Sequence, residues 1–301
     1  MKKKKEKPAA RAKLRLKELL LKARARVRRP KATLRAGYIA YSNSFPFLRE
    51  AERRPIKGVK VIARPPGELN AMLRRGELDV SAISTYEYLE NSAHYTLLPD
   101  LCINSTGYVR SVLLFSRLPL KELKGQVVLT TPESATSANL LRILFQLKGI
   151  SPREVRPFAS FVETAAASAV LLIGDGALRF EGGGFPYVYD LAQLWTQLTA
   201  RPVVFAVWAI RGRAGDHDAK LLRKLHRQLI AARARAHEGL DKLAAEAALR
   251  FPALRLDFRD YYSRLDYTLH KECIDSIHFY ELMLVEMGLL SGRTQISFAN
   301  L

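Results

Sequence analysis

Three polar turns can carry chemistry in this 301-residue chain. Asn43, in Ala40-Tyr41-Ser42-Asn43-Ser44, can donate and accept hydrogen bonds at once, and so can Ser84, in Ile83-Ser84-Thr85. Either can hold a hydroxyl or a water. Neither is a strong base, and a serine needs a partner to activate it. The third turn is Thr131-Pro132-Glu133-Ser134-Ala135-Thr136-Ser137. It follows a short apolar run, Gln126 to Thr130, and leads into a helical run, Asn139 to Leu147. Strand, polar turn and helix start together present backbone N–H groups to an anion. The hydroxyls of Ser134, Thr136 and Ser137 can add donors. The plain alternative is a helix cap, because Ser and Thr cap helices widely. The turn has no Gly-rich run and no Gly-Lys-Ser/Thr ending, so it is not a phosphate loop.

Two further groups are candidates. Arg110, with Ser111 beside it, precedes an apolar run and can pair bidentately with a carboxylate or lie on the surface. Asp175 follows an apolar strand and can act as a base, or cap the helix that starts there. Glu87, one turn beyond Ser84, reads as a structural or capping-box group. The six histidines are scattered, none at ligand spacing with a cysteine, so no metal site is expected. There is no dinucleotide fingerprint and no nucleophile elbow.

The elements that must position these turns follow a strand, polar turn, helix rhythm. Strands are expected at Leu34–Ile39, Val59–Ala63, Asp79–Ile83, Ser111–Ser116, Ala169–Ile173 and Val203–Ile210. Helices are expected over Glu68–Arg75, ended by Gly76, and in the stretches 217–250 and 263–286. The rhythm argues for parallel α/β construction, with ligands beyond the carboxyl ends of the strands. The expectation is two α/β lobes joined by two hinge crossings: residues 34–118 with 204–301, and residues 119–203. The first crossing is expected between Leu118 and Gly125. Asn43, Ser84 and Ser134 would then face one cleft, and clefts between domains are where small ligands bind.

Charge is unevenly spread. Residues 1–31 hold fifteen basic and two acidic residues, so +13 of the formal +20 lies there and the rest of the chain carries +7. The first 33 residues are expected to be a disordered or weakly helical tail. Its longest apolar run is three leucines, short of a signal-peptide core. No apolar stretch is long enough for a transmembrane segment. Such a basic tail is suited to contact anionic surfaces. No aromatic residue interleaves it, which argues against base stacking, and no specific nucleic-acid partner is expected. Two cysteines make no disulfide framework and fit a reducing, cytoplasmic setting. The residues alone point to a hinged receptor or enzyme for a small organic anion, monomeric or dimeric, and do not separate the two.

The motifs, taken as an ordered set, resemble the chorismate dehydratase family of the futalosine route to menaquinone. The set runs through Gly37-Tyr38-Ile39-Ala40-Tyr41-Ser42-Asn43-Ser44-Phe45-Pro46, Glu68-Leu69-Asn70, Gly76-Glu77-Leu78-Asp79-Val80 and Ile83-Ser84-Thr85-Tyr86-Glu87-Tyr88. It continues through Thr131–Ser137, Leu171-Leu172-Ile173-Gly174-Asp175-Gly176-Ala177-Leu178-Arg179 and Val204–Ala209. The resemblance covers Leu34 to about Leu290. It implies a type 2 periplasmic-binding-protein-like fold, a small-molecule carboxylate substrate and a dehydration without cofactor or metal. It matches the family's catalytic asparagine and serine to Asn43 and Ser84, and its carboxylate-binding turn to Ser134, Thr136 and Ser137. One run departs from the family's usual Gly-Pro-Val-Gly-Ser-Val: here it is Gly107-Tyr108-Val109-Arg110-Ser111-Val112. Tyr108 and Arg110 would fill the pocket wall or add a carboxylate contact. A diverged relative binding another aromatic or dicarboxylate anion is the alternative, ahead of an exported solute receptor.

Overall fold

Strand β1 (Leu34–Ile39) is buried at five of its six residues, as a central parallel strand must be. It lies between β2 (Val59–Arg64) and β3 (Val80–Ser84) and runs parallel to both. The computed structural model describes residues 33–301, so the expected tail, save Thr33, lies outside the described residues. Helix α1 (Phe45–Arg53) returns from β1, and α2 (Pro66–Arg75) returns from β2. Pro66 suits the first turn of α2, where its missing N–H has no helical partner to lose. Gly76, at φ 76°, ends that helix in the left-handed conformation. A short α3 (Thr85–Glu90) follows β3 and is capped by the Ser84 side chain.

After β4 (Tyr95–Ser105) the chain leaves the first sheet. The second lobe holds β5 (Val112–Ser116), β6 (Val127–Thr130), α4 (Ala135–Leu147), β7 (Glu154–Pro157), β8 (Ala169–Ile173), α5 (Gly174–Arg179), β9 (Tyr187–Asp190) and α6 (Leu191–Thr199). Strand β10 (Val203–Arg211) returns to the first sheet, followed by α7 (Ala219–Glu238), α8 (Leu240–Arg250), α9 (Phe258–Ser263) and α10 (Lys271–Glu286).

The strand orders are β2-β1-β3-β10-β4 and β7-β6-β8-β5-β9. Each sheet has three parallel strands, then a fourth that arrives by a crossing and runs antiparallel to its neighbours. The lobes are therefore built alike: β6 occupies the place of β1, and β8 that of β3.

Two sequence expectations change here. Val112–Ser116 pairs with β8 and β9, so the first crossing lies between Ser105 and Val112 rather than beyond Leu118. A strand buried at every residue suits the middle of either sheet, and only the pairing decides which. The strand Tyr95–Ser105 is not among those read from the sequence, and Pro99 and Asp100 lie in its middle. Asp100 takes φ 62°, and the ladder to β10 shifts register twice.

Aromatic edges weld the first lobe. Trp208 on β10, without solvent exposure, meets Tyr38 at 5.1 Å and Phe47 at 5.5 Å between ring centroids, and Phe47 meets Tyr267 at 5.2 Å. The first crossing is fixed by one carboxylate. Asp190, 3% exposed, accepts from Val109 N at 2.9 Å and Arg110 N at 2.7 Å through Oδ2. Its Oδ1 accepts from Ala192 N and Gln193 N at the start of α6. Burial still pushes this carboxyl up from its ordinary value, against the pull of the four bonds. Replacing it leaves four backbone donors short of a partner. Asp190→Ala is expected to destabilise the fold by about 3 kcal/mol, read as a lower urea midpoint with an unchanged slope.

Candidate functional site

Four strand ends meet in the cleft: β1 at Asn43, β3 at Ser84, β6 at the start of α4, and β8 at Gly174. They line a shared cavity of about 60 Å³ between the lobes, the kind of place where small ligands bind. Asn43, Ser84, Ser111, Ser134, Thr136 and Ser137 all line this space, so six of the eight expected site residues come together. Ile39, Val112, Ile173 and Phe205 form apolar wall. Among the described residues no Lys, Arg or His lines it, and Glu133 is the single charged group that does.

The start of α4 offers backbone donors to the cleft. Ser134 Oγ donates to Thr131 O at 2.5 Å, and Ser134 N donates to the same carbonyl at 3.1 Å. These bonds close the turn and use the Ser134 proton. The N–H groups of Ala135, Thr136 and Ser137 follow it with no helical partner, as the first turn of a helix dictates. They add to the positive end of a 13-residue helix, suited to a carboxylate in a cleft that has no cation.

Ser84 faces them from the other lobe. Its Oγ accepts from Asn70 Nδ2 at 3.1 Å and from Glu87 N at 3.2 Å. Both lone pairs are thereby engaged, so the hydroxyl proton is left to be donated into the cleft. Asn43 is held through its turn. Tyr267 Oη donates to Asn43 O at 2.9 Å, and Tyr262 Oη donates to Ser42 O at 3.0 Å. Burial pushes both phenols well up, so they remain donors. Asn43 Oδ1 is buried without a hydrogen-bond partner. It is an acceptor that a ligand can satisfy.

The lobes are already in contact across the cleft. Asp175 Oδ1 accepts from Ser42 N at 2.9 Å and Ser42 Oγ at 2.6 Å. Thr136 Oγ1 accepts from Tyr86 N at 3.0 Å, and Thr136 O accepts from Tyr280 Oη at 3.0 Å. The Tyr41 ring lies on Gly174, whose φ is 56°; a Cβ there would sit 2.5 Å from the ring. Only glycine permits that approach.

Two expected ligand contacts are not in the cleft. Arg110 Nη1 donates to Asp260 Oδ2 at 3.2 Å, and Arg264 stacks over the exposed Tyr108 ring. Arg110 takes φ 67°, a conformation glycine prefers, which accounts for the small residue usual in the resembling run. Its side chain turns to the α9 carboxylate instead of the pocket. Asp175 spends an oxygen on linking the lobes and does not line the space.

Two polar lining residues were missed as site candidates. Glu133 sits inside the quoted turn, and Tyr41 is two residues before Asn43. Burial first, then Glu133 and Asp175, pushes the Tyr41 phenol up to about 12, so it is a neutral wall group. Their positions beside the polar motifs were the available signal. No group of three or more His, Cys, Asp or Glu able to hold a metal occurs among the described residues. None of their helices is long and apolar enough to cross a membrane.

Comparison with known proteins gives the family and the fold. The chain is 38% identical over 194 residues to the chorismate dehydratase of Thermus thermophilus, covering 58% of this chain and 69% of that protein. A crystal structure of an Archaeoglobus fulgidus protein superposes with a TM-score of 0.68 at 18% identity, over 86% of this chain and 99% of that one. The alkanesulfonate-binding protein of Xanthomonas axonopodis pv. citri gives 0.64 at 17% identity, over 88% and 96%. At those identities the two structures speak to the fold, which is the bilobal periplasmic-binding-protein type. A family model described as menaquinone biosynthesis matches residues 34–285, and the chain belongs to that family.

Proposed function

We propose that this protein is a chorismate dehydratase, a hydro-lyase that converts chorismate to 3-[(1-carboxyvinyl)oxy]benzoate in menaquinone biosynthesis. One observation carries the reading. The free N–H groups of α4 and the outward-donating hydroxyl of Ser84 face a shared cleft from opposite lobes.

Chorismate has two carboxylates and a hydroxyl at C4. One carboxylate fits the N–H groups of Ala135, Thr136 and Ser137. Ser84 then donates to the C4 hydroxyl as it departs, and Asn43 orients the same group. The C3 proton passes to the substrate's own enolpyruvyl carboxylate, and the C3–H electron pair enters the ring as the C4–O bond breaks. The hydroxide leaves with that proton as water, and the ring becomes aromatic. The drive is within the substrate, so the protein need only orient groups, exclude water and stabilise shifting charge. Apolar wall and contacting lobes suit the exclusion of water.

Purified protein incubated with chorismate is expected to consume it and release the benzoate, followed by chromatography and mass. Binding without turnover would favour a receptor or a diverged relative. Ser84→Ala is expected to lower kcat about a hundredfold to a thousandfold, as does the loss of one transition-state donor. Asn43→Ala should also lose turnover, and full activity in both variants would refute their assignment. Glu133→Gln and Asp175→Asn test the proton acceptor. Turnover is expected to persist in each within about tenfold; abolition with intact binding would give the role to that carboxylate.

A further inference from the structure

We infer that Asn70 is a positioning residue that makes Ser84 an obligate donor toward the substrate. The inference rests on the reading of Ser84 above and extends it to the residue behind it. Asn70 is on α2, 5% exposed, and touches Ser84 with both ends of its amide. Ser84 N donates to Asn70 Oδ1 at 3.1 Å, and Asn70 Nδ2 donates to Ser84 Oγ at 3.1 Å. The orientation of the amide is fixed by chemistry. A backbone N–H can only donate, so the atom facing it must be the carbonyl oxygen, and the NH₂ must face the hydroxyl.

Glu87 N, equally a donor only, takes the other lone pair of Ser84 Oγ. With two obligate donors on the oxygen, the hydroxyl proton cannot turn back into the protein. It occupies the remaining tetrahedral direction, on the face of Ser84 that lines the cleft. The Glu87 arm is itself anchored, because the buried Glu87 carboxylate pairs with Arg74 and accepts from Tyr95 Oη at 2.7 Å. The device thus has two parts, and Asn70 is the part that a single substitution can reverse.

Asn70→Asp is that reversal. It keeps the shape and the acceptor for Ser84 N, but it replaces the Nδ2 donor by a carboxylate oxygen. The Ser84 hydroxyl then donates backwards to the carboxylate and not to the substrate. Protonation of the introduced carboxyl restores a donor to Ser84 Oγ. Asn70→Ala removes the amide without offering an acceptor, so the hydroxyl keeps its forward direction part of the time.

The test is steady-state turnover of chorismate by wild type, Asn70→Asp, Asn70→Ala and Ser84→Ala across pH 5 to 8, with thermal midpoints recorded for each. At pH 8, Asn70→Asp is expected to lose about a hundredfold in kcat with little change in KM, and Asn70→Ala about tenfold. A packing role predicts the reverse order, since Ala leaves a cavity and an unpaired Ser84 N–H. Relative to wild type, Asn70→Asp should recover as pH falls and the introduced carboxyl protonates. Adding it to Ser84→Ala should cost nothing more. An Asn70→Asp enzyme at least as active as Asn70→Ala at pH 8, or one without acid-side recovery, overturns the inference while Ser84→Ala remains strongly impaired. Full turnover by Ser84→Ala instead removes the underlying reading, and the inference with it.

Discussion

The cleft is organised around backbone N–H groups at the start of α4, with no lysine, arginine or histidine among its described lining residues. A lysine ammonium is a mobile point charge that attracts carboxylates from many directions, whereas helix N–H groups point along one axis and fix the orientation of what they bind. The first turn of α4 supplies three such groups, and Ser134 keeps its own proton on Thr131 O, closing the turn beneath them. Local backbone geometry makes this site, so it does not depend on a flexible charged side chain finding its place.

The second lobe presents backbone N–H groups to the cleft, and the first presents Asn43 and Ser84. The duplicated strand order makes this division possible. It brings β1 and β6, and likewise β3 and β8, to equivalent places, so that two carboxyl ends from each lobe converge. The lobes then share hydrogen-bonding groups at their contact. Tyr86 N, in the first turn of α3, finds its acceptor on Thr136, and Asp175, in the first turn of α5, serves the turn that carries Asn43. The lobe contact thus uses the site's own polar groups and leaves Asn43 Oδ1 without a partner.

Direction of hydrogen bonding matters here as much as distance. Ser84 Oγ could have been placed in the same spot by packing alone and still have donated its proton inward. Two donor-only neighbours exclude that, and they come from different elements, α2 and the start of α3. The hydroxyl is thus set to give a hydrogen bond into the cleft, and no histidine is among the described lining residues.

Sequence by itself determined the local pieces. Alternation of apolar runs with polar turns located β1, β2, β3, β8 and β10; for β1, β3, β8 and β10 a buried, central place in the sheet demands near-continuous apolar residues. It also marked Asn43, Ser84 and the Thr131–Ser137 turn, since Asn, Ser and Thr at strand ends have few other uses than capping and binding. Tertiary structure decided what those signals leave open. An all-buried strand such as Val112–Ser116 belongs to whichever sheet it pairs with, and that moved the first crossing toward Ser105. Arg110 and Asp175 had the right chemistry for a ligand, but Asp260 and Ser42 lay within reach and took them. Asn70 showed no sign of its partner, fourteen residues away on another element, because a hydrogen bond between side chains is specified by packing and leaves no period in the chain.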